Sequence, residues 1–273
     1  MSTVAADVLV VTGAGGMGRA IARRIGSGRA VVVADADEAQ CAGAAAELRA
    51  AGHRVEAVRT DVSSASDVAA LAKAATDLGS IRAVVHTAGV SPVQATPEAI
   101  VAVDVVGTAR VLDAFEPYAG PGCVAVCVAS MAGTMTPVDA DALRVLATTP
   151  TDDLANLPLL DPRTMDSGTA YGLAKRANQA RVEAASVAWG RRGGRVVSVS
   201  PGVIATPMGH AELAGPFGDV MRDMVARSGT GRVGTPDDIA AVVEFLVSPV
   251  ASFVTGTDVL VDGGVVAALR SAG

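Results

Sequence analysis

Tyr171 and Lys175 lie four residues apart in a helical pattern that runs from Ala170 to about Gly190. Residues at this spacing share one face of a helix, so the phenol and the ammonium group should meet. A free tyrosine has a pKa near 10, and lowering it to near neutrality requires about 4 kcal/mol. A cation about 4 Å away, at an effective dielectric near 20, supplies an energy of that order. The pair therefore predicts a general acid/base with a lowered tyrosine pKa, although a surface tyrosine beside a solvated lysine has the same spacing.

Length and composition restrict the class of protein. The chain has 273 residues, half of them hydrophobic and 3% aromatic, with a formal net charge of −6. These values suit one α/β domain with a large core. The lack of a basic stripe and the few aromatic rings argue against nucleic-acid binding. With no apolar run of about 18 residues and no leader pattern at the N-terminus, we expect no membrane span and no export.

The cysteines carry no sign of a metal site or of a disulfide framework. Three cysteines, Cys41, Cys123 and Cys127, do not make a disulfide framework, and Cys123 and Cys127 lie in a strand-like run with no histidine or cysteine partner at metal-ligand spacing. We therefore expect buried, reduced thiols, no bound metal and a cytoplasmic protein.

Short valine-rich runs alternate with longer helical patterns along the chain. Nearly continuous apolar runs are typical of parallel strands buried on both faces. Their alternation with helices predicts an α/β fold, a Rossmann-type doubly wound parallel sheet in a single domain over 1–273. The predicted strands are Asp7–Thr12, Ala30–Ala34, Val55–Arg59, Ala83–His86, Cys123–Ala129, Arg195–Ser200 and Asp258–Val261. The predicted helices are about Met17–Ile25, Glu38–Ala51, Ala65–Leu78, Pro97–Tyr118, Ala170–Arg191 and Asp237–Leu246.

A glycine-rich loop follows the first predicted strand and opens a helix. Gly13, Gly15 and Gly18 match the pattern G-x-G-x-x-G, with Gly16 and Met17 between them. Glycine lets the backbone approach a pyrophosphate, which then sits at the positive N-terminus of the helix. The loop predicts dinucleotide binding, and a generic tight turn is the alternative.

Acidic residues end the second and third predicted strands. Asp35 can accept hydrogen bonds from both adenosine ribose hydroxyls and would repel a 2′-phosphate. No Lys or Arg occurs from Val31 to Gln40, so the sequence predicts NAD(H) over NADP(H), unless Asp35 merely starts the next helix. Asp61 could accept from the adenine amino group while the Val62 amide donates to the ring. An equally weighted alternative is a helix cap beside the two serines that follow.

The fourth and fifth strands end in small and polar residues. Ala88 and Gly89 would let a cofactor lie against the backbone. His86, just before them, is more readily explained as a histidine satisfied within the sheet than as a catalyst. Ser130 ends the fifth strand, where its hydroxyl could hydrogen-bond a substrate oxygen or cap loop backbone.

Together these residues resemble the short-chain dehydrogenase/reductase family over essentially the whole chain. The motifs that carry the resemblance are Gly13–Gly18, Asp35, Asp61, Ala88–Gly89, Ser130, Tyr171, Lys175, Pro201–Gly202, Thr206 and Asp262–Gly263–Gly264. The resemblance implies one sheet of seven parallel strands in the order 3-2-1-4-5-6-7. It also implies hydride transfer between a nicotinamide, here NAD, and a carbonyl or alcohol.

The resemblance also assigns roles. Tyr171 would exchange the proton, Lys175 would lower its pKa and hold the nicotinamide ribose, and Ser130 would steady the substrate oxygen. Thr206 would contact the nicotinamide end of the cofactor. Pro201, Gly202 and Val203 complete the expected cofactor contacts.

Three features depart from the family pattern. The glycine loop is one residue shorter than usual, so Gly15 or Gly16 would take the role of the missing position. Asp104 stands where the family has a catalytic asparagine. Its backbone carbonyl could still serve a proton relay, but its carboxylate could alter the pH dependence. Ser130 precedes Tyr171 by 41 residues, a longer separation than is usual.

The extra length is an insertion at about 133–168, which resembles that of the bacterial 3α-hydroxysteroid dehydrogenase/carbonyl reductase branch. Its scattered leucines fit helices packed on their own core or on a neighbouring subunit. They equally fit a wall over the substrate. The resemblance implies a homodimer rather than the family's common homotetramer.

A second irregular stretch, about 206–235, corresponds to the family's substrate loop. Its methionines and leucines suit an adaptable apolar pocket. We therefore expect an NAD(H)-dependent oxidoreductase acting on a lipophilic secondary alcohol or ketone, such as a hydroxysteroid or another cyclic alcohol. The alternative is a catalytically silent NAD(H)-binding sensor or scaffold protein.

Overall fold

The valine-rich runs form seven parallel strands in the computed structural model, which describes residues 6–271. The strands form one sheet in the order β3-β2-β1-β4-β5-β6-β7, which confirms the predicted Rossmann-type topology. The predicted domain 1–273 extends at both ends beyond the described residues. The strands are β1 Ala6–Thr12, β2 Ala30–Asp35, β3 Arg54–Arg59, β4 Gly79–His86, β5 Val124–Val128, β6 Arg195–Pro201 and β7 Asp258–Val261.

The prediction that every strand is buried on both faces was wrong for the sheet edges. The side chains of β5 are buried throughout, whereas β3 and β7 are largely exposed or half-buried. Each of these two strands pairs with one neighbour only, β2 and β6 respectively. The predicted fourth strand was also too short. It begins at Gly79 because Gly79 and Ser80 pair with Ala6 and Asp7 of β1.

Helices cover both faces of the sheet. They are α1 Gly16–Ile25, α2 Glu38–Ala50, α3 Ala65–Leu78, α4 Pro97–Ile100, α5 Thr108–Phe115, α6 Met131–Met135, α7 Ala140–Thr148, α8 Ser167–Arg191, α9 Pro207–Ala214, α10 Gly218–Arg227, α11 Pro236–Val247 and α12 Val265–Ser271. Apolar residues of α1, α2 and α11 form one core with the sheet, and those of α3, α5 and α8 form another on the opposite face. None of the helices in residues 6–271 is long and apolar enough to cross a membrane.

The predicted helix Pro97–Tyr118 is interrupted by a π-helical segment. Residues Val101–Gly107 adopt this conformation between α4 and α5. Asp104 lies in the segment, and its carbonyl accepts a hydrogen bond from the Thr108 hydroxyl at 2.7 Å. Single π-helical turns are often found at functional sites.

The insertion contains α7 and three short 3-10 helices. Its buried leucines, Leu146, Leu154 and Leu160, pack against the π-helical segment and the first half of α8. This is the arrangement expected of helices that pack on the chain's own core. Only Met135 and Gly168, near the ends of the insertion, line the large apolar cavity described below.

Candidate active site

The glycine loop requires glycine because backbone atoms approach it closely. Gly13 has a φ of 88°, and a Cβ atom there would lie 2.6 Å from the Ala88 amide nitrogen. The Gly13 amide donates to the Ala34 carbonyl at 2.7 Å, which fixes the loop over β2. Gly15 is the N-cap of α1 and no side chain caps this helix. The first amides of α1 are therefore available to an anion.

Asp35 lies at the end of β2, with both carboxylate oxygens directed by backbone amides. Oδ2 accepts from the Ala14 amide at 2.7 Å, and Oδ1 accepts from the Asp37 amide at 3.0 Å. Asp37, and not Asp35, caps α2 by accepting from Ala39 and Gln40. The glycine loop and Asp35 are thus held together, and the helix-start alternative for Asp35 does not describe this geometry.

Asp61 follows β3 and closes a local turn. Its Oδ1 accepts from the amide and the hydroxyl of Ser63, at 2.9 and 2.7 Å. The N-cap of α3 is Ser64, which accepts from the Asp67 amide. Asp61 therefore does not cap the helix itself. Together with the buried Val62 it lines the cleft over the sheet.

A cleft of about 370 Å³ lies over the carboxyl ends of β1 to β4. It brings together most of the predicted cofactor residues: Gly13, Gly15, Gly16, Met17, Gly18, Asp35, Asp61, Val62, Ala88, Gly89 and Thr206. Sequence reasoning missed Gln40, Thr60, Thr87 and Gln94, which also line it. Thr60 and Thr87 each directly precede a predicted cofactor residue, so their position at the strand ends could have identified them as cleft residues. Among the described residues, no lysine or arginine lines this cleft.

Both ring nitrogens of His86 have hydrogen-bond partners, one on β1 and one on α5. Its Nδ1 lies 2.7 Å from the Thr12 hydroxyl and its Nε2 lies 3.0 Å from the Thr108 hydroxyl. Burial, together with the charge of Lys175, lowers the pKa of His86 to about 3. The imidazole is therefore neutral, which is the structural role expected from the sequence.

A second cavity, of about 380 Å³, contains Ser130 and Tyr171 in its wall. The 41 residues that separate them do not hold them apart, because α6 packs directly on α8. A Cβ atom on Gly133 would lie 2.6 Å from the Lys175 carbonyl carbon. Ser130 also caps α6, accepting from the Ala132 amide at 3.1 Å. The Ser130 hydroxyl therefore caps loop backbone, one of the two roles expected from the sequence, and Ser130 also lines the cavity.

Pro201, Gly202 and Val203 line this second cavity rather than the glycine-lined cleft. They form the end of β6 and the start of the following loop.

The two cavities share part of their walls. Met17, Thr206 and Met208 line both of them. A Cβ atom on Gly16 would lie 3.0 Å from Thr206 Cγ2, so the glycine loop lies against the start of α9. Thr206 caps that helix by accepting from the Gly209 amide at 3.0 Å. A molecule bound in the glycine-lined cleft could therefore contact a molecule bound in the second cavity.

The predicted lowering of the tyrosine pKa was wrong for this structure. Burial raises the pKa of Tyr171, and Asp104 and Glu212 raise it further, whereas Lys175 and the Ser130 hydroxyl lower it. The Lys175 ammonium does lie near the phenol, 5.4 Å from the ring centroid. Burial and the nearby carboxylates outweigh its effect.

Lys175 forms a buried ion pair with Asp104. The Nζ–Oδ2 distance is 3.2 Å, and both side chains are almost completely buried. The other carboxylate oxygen of Asp104, Oδ1, accepts from the Val90 amide at 2.9 Å. A Cβ atom on Gly89 would lie 3.1 Å from Nζ and 3.2 Å from Oδ1. Glycine at this position therefore leaves room for the pair.

The pair changes the pKa of both partners. Burial raises the pKa of Asp104, although Lys175 and the Val90 amide oppose the change. Burial lowers the pKa of Lys175, but Asp104 and Tyr171 outweigh it, so the net direction is upward. The ammonium therefore stays charged beside Tyr171.

The three cysteines are free and buried, and no group of three metal-binding side chains occurs within residues 6–271. The site thus consists of a glycine-lined cleft and a cavity with Tyr171 and Ser130 in its wall. Lys175 lines neither of them and lies buried behind the Tyr171 ring. A doubly wound sheet with such a cleft defines a dinucleotide-binding protein of the Rossmann type.

Comparison with known proteins identifies the family. Residues 7–141 match the family model described as short chain dehydrogenase, and residues 160–266 match the one described as Enoyl-(Acyl carrier protein) reductase. The chain is 40% identical over 265 residues to the short-chain dehydrogenase/reductase bsc3 of Alternaria brassicicola, covering 96% of this chain and 97% of that protein. The chain belongs to the short-chain dehydrogenase/reductase family. It is therefore an oxidoreductase of a family that binds a nicotinamide cofactor and acts on small molecules.

Two further relatives are similar over nearly the whole chain. The cis-4-hydroxycyclohexanecarboxylate dehydrogenase of Sinomonas cyclohexanicum is 34% identical over 261 residues, covering 94% of this chain and 95% of that protein. The crystal structure of the 3-alpha-hydroxysteroid dehydrogenase from Pseudomonas sp. B-0831, complexed with NADH, superposes with a TM-score of 0.80 at 26% identity. That match covers 97% of this chain and 99% of the other.

Proposed function

We propose that this protein is an NAD(H)-dependent oxidoreductase that interconverts a lipophilic secondary alcohol and its ketone. The observation that carries the proposal is the shared wall between the glycine-lined cleft and the apolar cavity that contains Tyr171 and Ser130. A nicotinamide entering from the cleft would face a substrate oxygen beside the phenol. Hydride and proton transfer need this proximity.

The residues of the cleft fit a dinucleotide. The glycine loop and the uncapped start of α1 would bind the pyrophosphate, and Asp35 would accept from the adenosine ribose. Asp61 and Val62 would contact the adenine, and Thr206 would contact the nicotinamide end. Lys175 would hold the nicotinamide ribose, the role that the family resemblance gives it. When bound, the cofactor supplies the hydride acceptor for an alcohol carbon or the hydride donor for a ketone carbon.

Tyr171 would move the proton at the substrate oxygen. In ketone reduction the phenol donates its proton to the developing alkoxide, and its raised pKa keeps it protonated for this step. In alcohol oxidation the phenolate accepts the proton, and the Lys175 ammonium stabilises that negative charge. The Ser130 hydroxyl would hold the substrate oxygen at the same place.

The cavity wall supports a lipophilic substrate. Methionine, valine, proline and phenylalanine side chains make up most of it. Four of the large apolar side chains exposed to solvent also belong to it: Val93, Met135, Phe217 and Val220. Two similar proteins are named for cyclic secondary alcohols, a hydroxycyclohexanecarboxylate and a hydroxysteroid, which supports a cyclic substrate here.

Fluorescence titration with NADH, followed by turnover assays with cyclic ketones and steroids, tests the proposal. We expect saturable NADH binding and ketone-dependent loss of NADH absorbance. Saturable binding without turnover of any ketone would instead favour an NAD(H)-binding sensor or scaffold.

Replacing Asp35 by alanine should relax the cofactor preference. The carboxylate would repel a 2′-phosphate and accept from the ribose hydroxyls, so its loss should weaken NADH binding and strengthen NADPH binding. We expect the ratio of the two dissociation constants to move by about tenfold or more towards NADPH. Titration of both nucleotides against the same preparation measures this ratio.

Asp37→Ala is the matched control for this change. It removes a neighbouring carboxylate that caps α2, so it should lower stability slightly. The nucleotide ratio should not move. An unchanged ratio in Asp35→Ala, or tighter NADPH binding by the parent protein, would contradict the role given to Asp35.

Replacing Asp104 by asparagine should shift the pH dependence of alcohol oxidation to lower pH. Oxidation needs the phenolate form of Tyr171, so the rate rises with pH through the pKa of that group. The Asp104 carboxylate raises this pKa, and its removal therefore moves the rising limb downward. Profiles of kcat/KM against pH would show the shift, with the exposed Asp77→Asn as a charge-matched control. A shift to higher pH would contradict the assignment.

An assembly of two or four copies and a cytoplasmic location complete the proposal. Free, buried cysteines support a reducing compartment. Exposed apolar side chains on α8, on α11 and just after it, Val187, Phe245, Val250 and Phe253, support an interface between copies. Light scattering at several concentrations would measure the molar mass as a multiple of 27.1 kDa.

A further inference from the structure

Glu212 is a carboxylate in the wall of a mostly apolar cavity. Apart from Tyr171, it is the only ionisable side chain among the described residues that line the cavity of Ser130. The other polar side chains there are the hydroxyls of Ser130 and Thr206. Glu212 is therefore the one carboxylate in a wall made mainly of apolar side chains.

The helix α9 directs Glu212 into the cavity. Met208 and Glu212 are four residues apart on this helix and both line the cavity, as residues on one helix face do. Thr206 caps the helix with its hydroxyl on the Gly209 amide. Glu212 therefore belongs to a capped helix, and the helix geometry determines the direction of its side chain.

Glu212 is half-buried, and no side-chain hydrogen bond or ion pair of its carboxylate occurs within residues 6–271. Burial raises the pKa of Glu212, and the charge of Lys175 lowers it. Lys175 itself is paired with Asp104. An unpartnered, partly desolvated carboxylate gains most from a ligand that brings it a hydrogen-bond donor, and a cationic donor gives the strongest interaction.

We propose, on the basis of the function proposed above, that Glu212 selects substrates that carry a protonated amine away from the reacting carbon. The rest of the substrate is the lipophilic ring or chain that the apolar wall accommodates. The carboxylate and the ammonium pair across the cavity while the carbonyl oxygen lies at Ser130 and Tyr171. By the same electrostatics Glu212 disfavours substrates with a carboxylate, because two like charges would face each other.

The probes are four cyclohexanones that differ only at position 4. They carry an aminomethyl, a hydroxymethyl, an ethyl or a carboxylate group. We expect kcat/KM with NADH to be highest for the amine and lowest for the carboxylate. In Glu212→Gln, which keeps the shape and removes the charge, the amine should lose about tenfold or more. The ethyl compound should change little and the carboxylate should improve.

Asp219→Asn is the matched control, since it removes a carboxylate from the same segment at a site that is almost fully exposed. It should leave the order of the four ketones unchanged. An equal loss for all four ketones in Glu212→Gln would overturn the inference, because it would mean that Glu212 serves the fold or the chemistry. An unchanged amine preference would overturn it as well.

Binding separates this inference from the proposed function. Calorimetric titration of the amine and the ethyl compound into the protein–NADH complex needs no turnover. Tighter binding of the amine, lost in Glu212→Gln, would support the inference even if none of the ketones were reduced, a result that would count against the proposed function alone. Equal binding of the two compounds to the parent protein would overturn the inference.

Discussion

Replacing Tyr171 by phenylalanine should lower kcat by about 10³-fold while NADH binding stays within about twofold. The substitution removes the phenolic proton and keeps the ring, which packs against the cluster formed by α8 and the π-helical segment. Lys175 and Asp104 stay paired behind it. The loss should therefore appear in turnover and leave the affinity for the cofactor and the stability unchanged.

Tyr118 provides the control, since the chain has two tyrosines and Tyr118 is exposed and lines neither cavity. Tyr118→Phe should keep full activity. Single-turnover measurements with saturating NADH would separate the chemical step from product release. Full turnover in Tyr171→Phe would show that another group moves the proton.

Replacing Lys175 by methionine should lower the free energy of unfolding by about 3–5 kcal/mol. Methionine is similar in length, so the main loss is the charge that accompanies Asp104. The Asp104 side chain is fully buried, and its carboxylate would then have neither water nor a cation. Denaturant unfolding of the protein without cofactor measures the change.

The loss should depend on pH. Burial raises the pKa of Asp104, and the methionine variant lacks the ammonium that opposes this. The folded state then keeps its proton at pH values where the unfolded state has released it. The free energy of unfolding is therefore highest below the ordinary carboxyl pKa and falls as the pH rises above it, so the deficit at about pH 8 should exceed that at about pH 5.

Two comparisons isolate the ion pair. The double variant Lys175→Met/Asp104→Asn should recover much of the stability, because it removes both charges. Lys73→Met makes the same change in the exposed pair Lys73–Asp77 and should cost less than about 1 kcal/mol. Equal costs for Lys175→Met and Lys73→Met would contradict the buried ion pair.

The doubly wound parallel sheet and the strand-end residues could be predicted because they depend on local patterns, whereas the strand order was implied by the family resemblance. Apolar runs and helical periodicity define the βαβ units, and the carboxyl ends of parallel strands meet at one edge. Asp35, Asp61 and Gly89 were therefore expected to lie together, and they line one cleft. Each was recognisable from its place after a strand.

The electrostatics of the site could not be predicted in the same way. The direction of the Tyr171 pKa depends on burial and on Asp104, a residue of a π-helical segment that meets α8 only in the folded chain. Sequence spacing predicted the Tyr171–Lys175 pair but not the second partner of Lys175. Glu212 was missed because methionines and leucines dominate its stretch, and only the orientation of α9 turns it into the cavity.

The apolar pattern of a single strand does not show whether the strand lies at an edge of the sheet, and the strand order came from the family resemblance. β3 and β7 have valines like the central strands but lie at the two edges. Whether a strand lies at the edge or in the centre of the sheet depends on the order in which the strands pair, and the sequence of one strand does not determine that order.

The most direct test of the account is the rate of NADH oxidation with a cyclic ketone, measured for the parent protein with NADH and with NADPH, and for Tyr171→Phe. The account predicts ketone-dependent oxidation of NADH, slower reaction with NADPH, and almost no reaction in the variant. Faster reaction with NADPH would contradict the role of Asp35. An equal rate in Tyr171→Phe would contradict the central claim that Tyr171 transfers the proton.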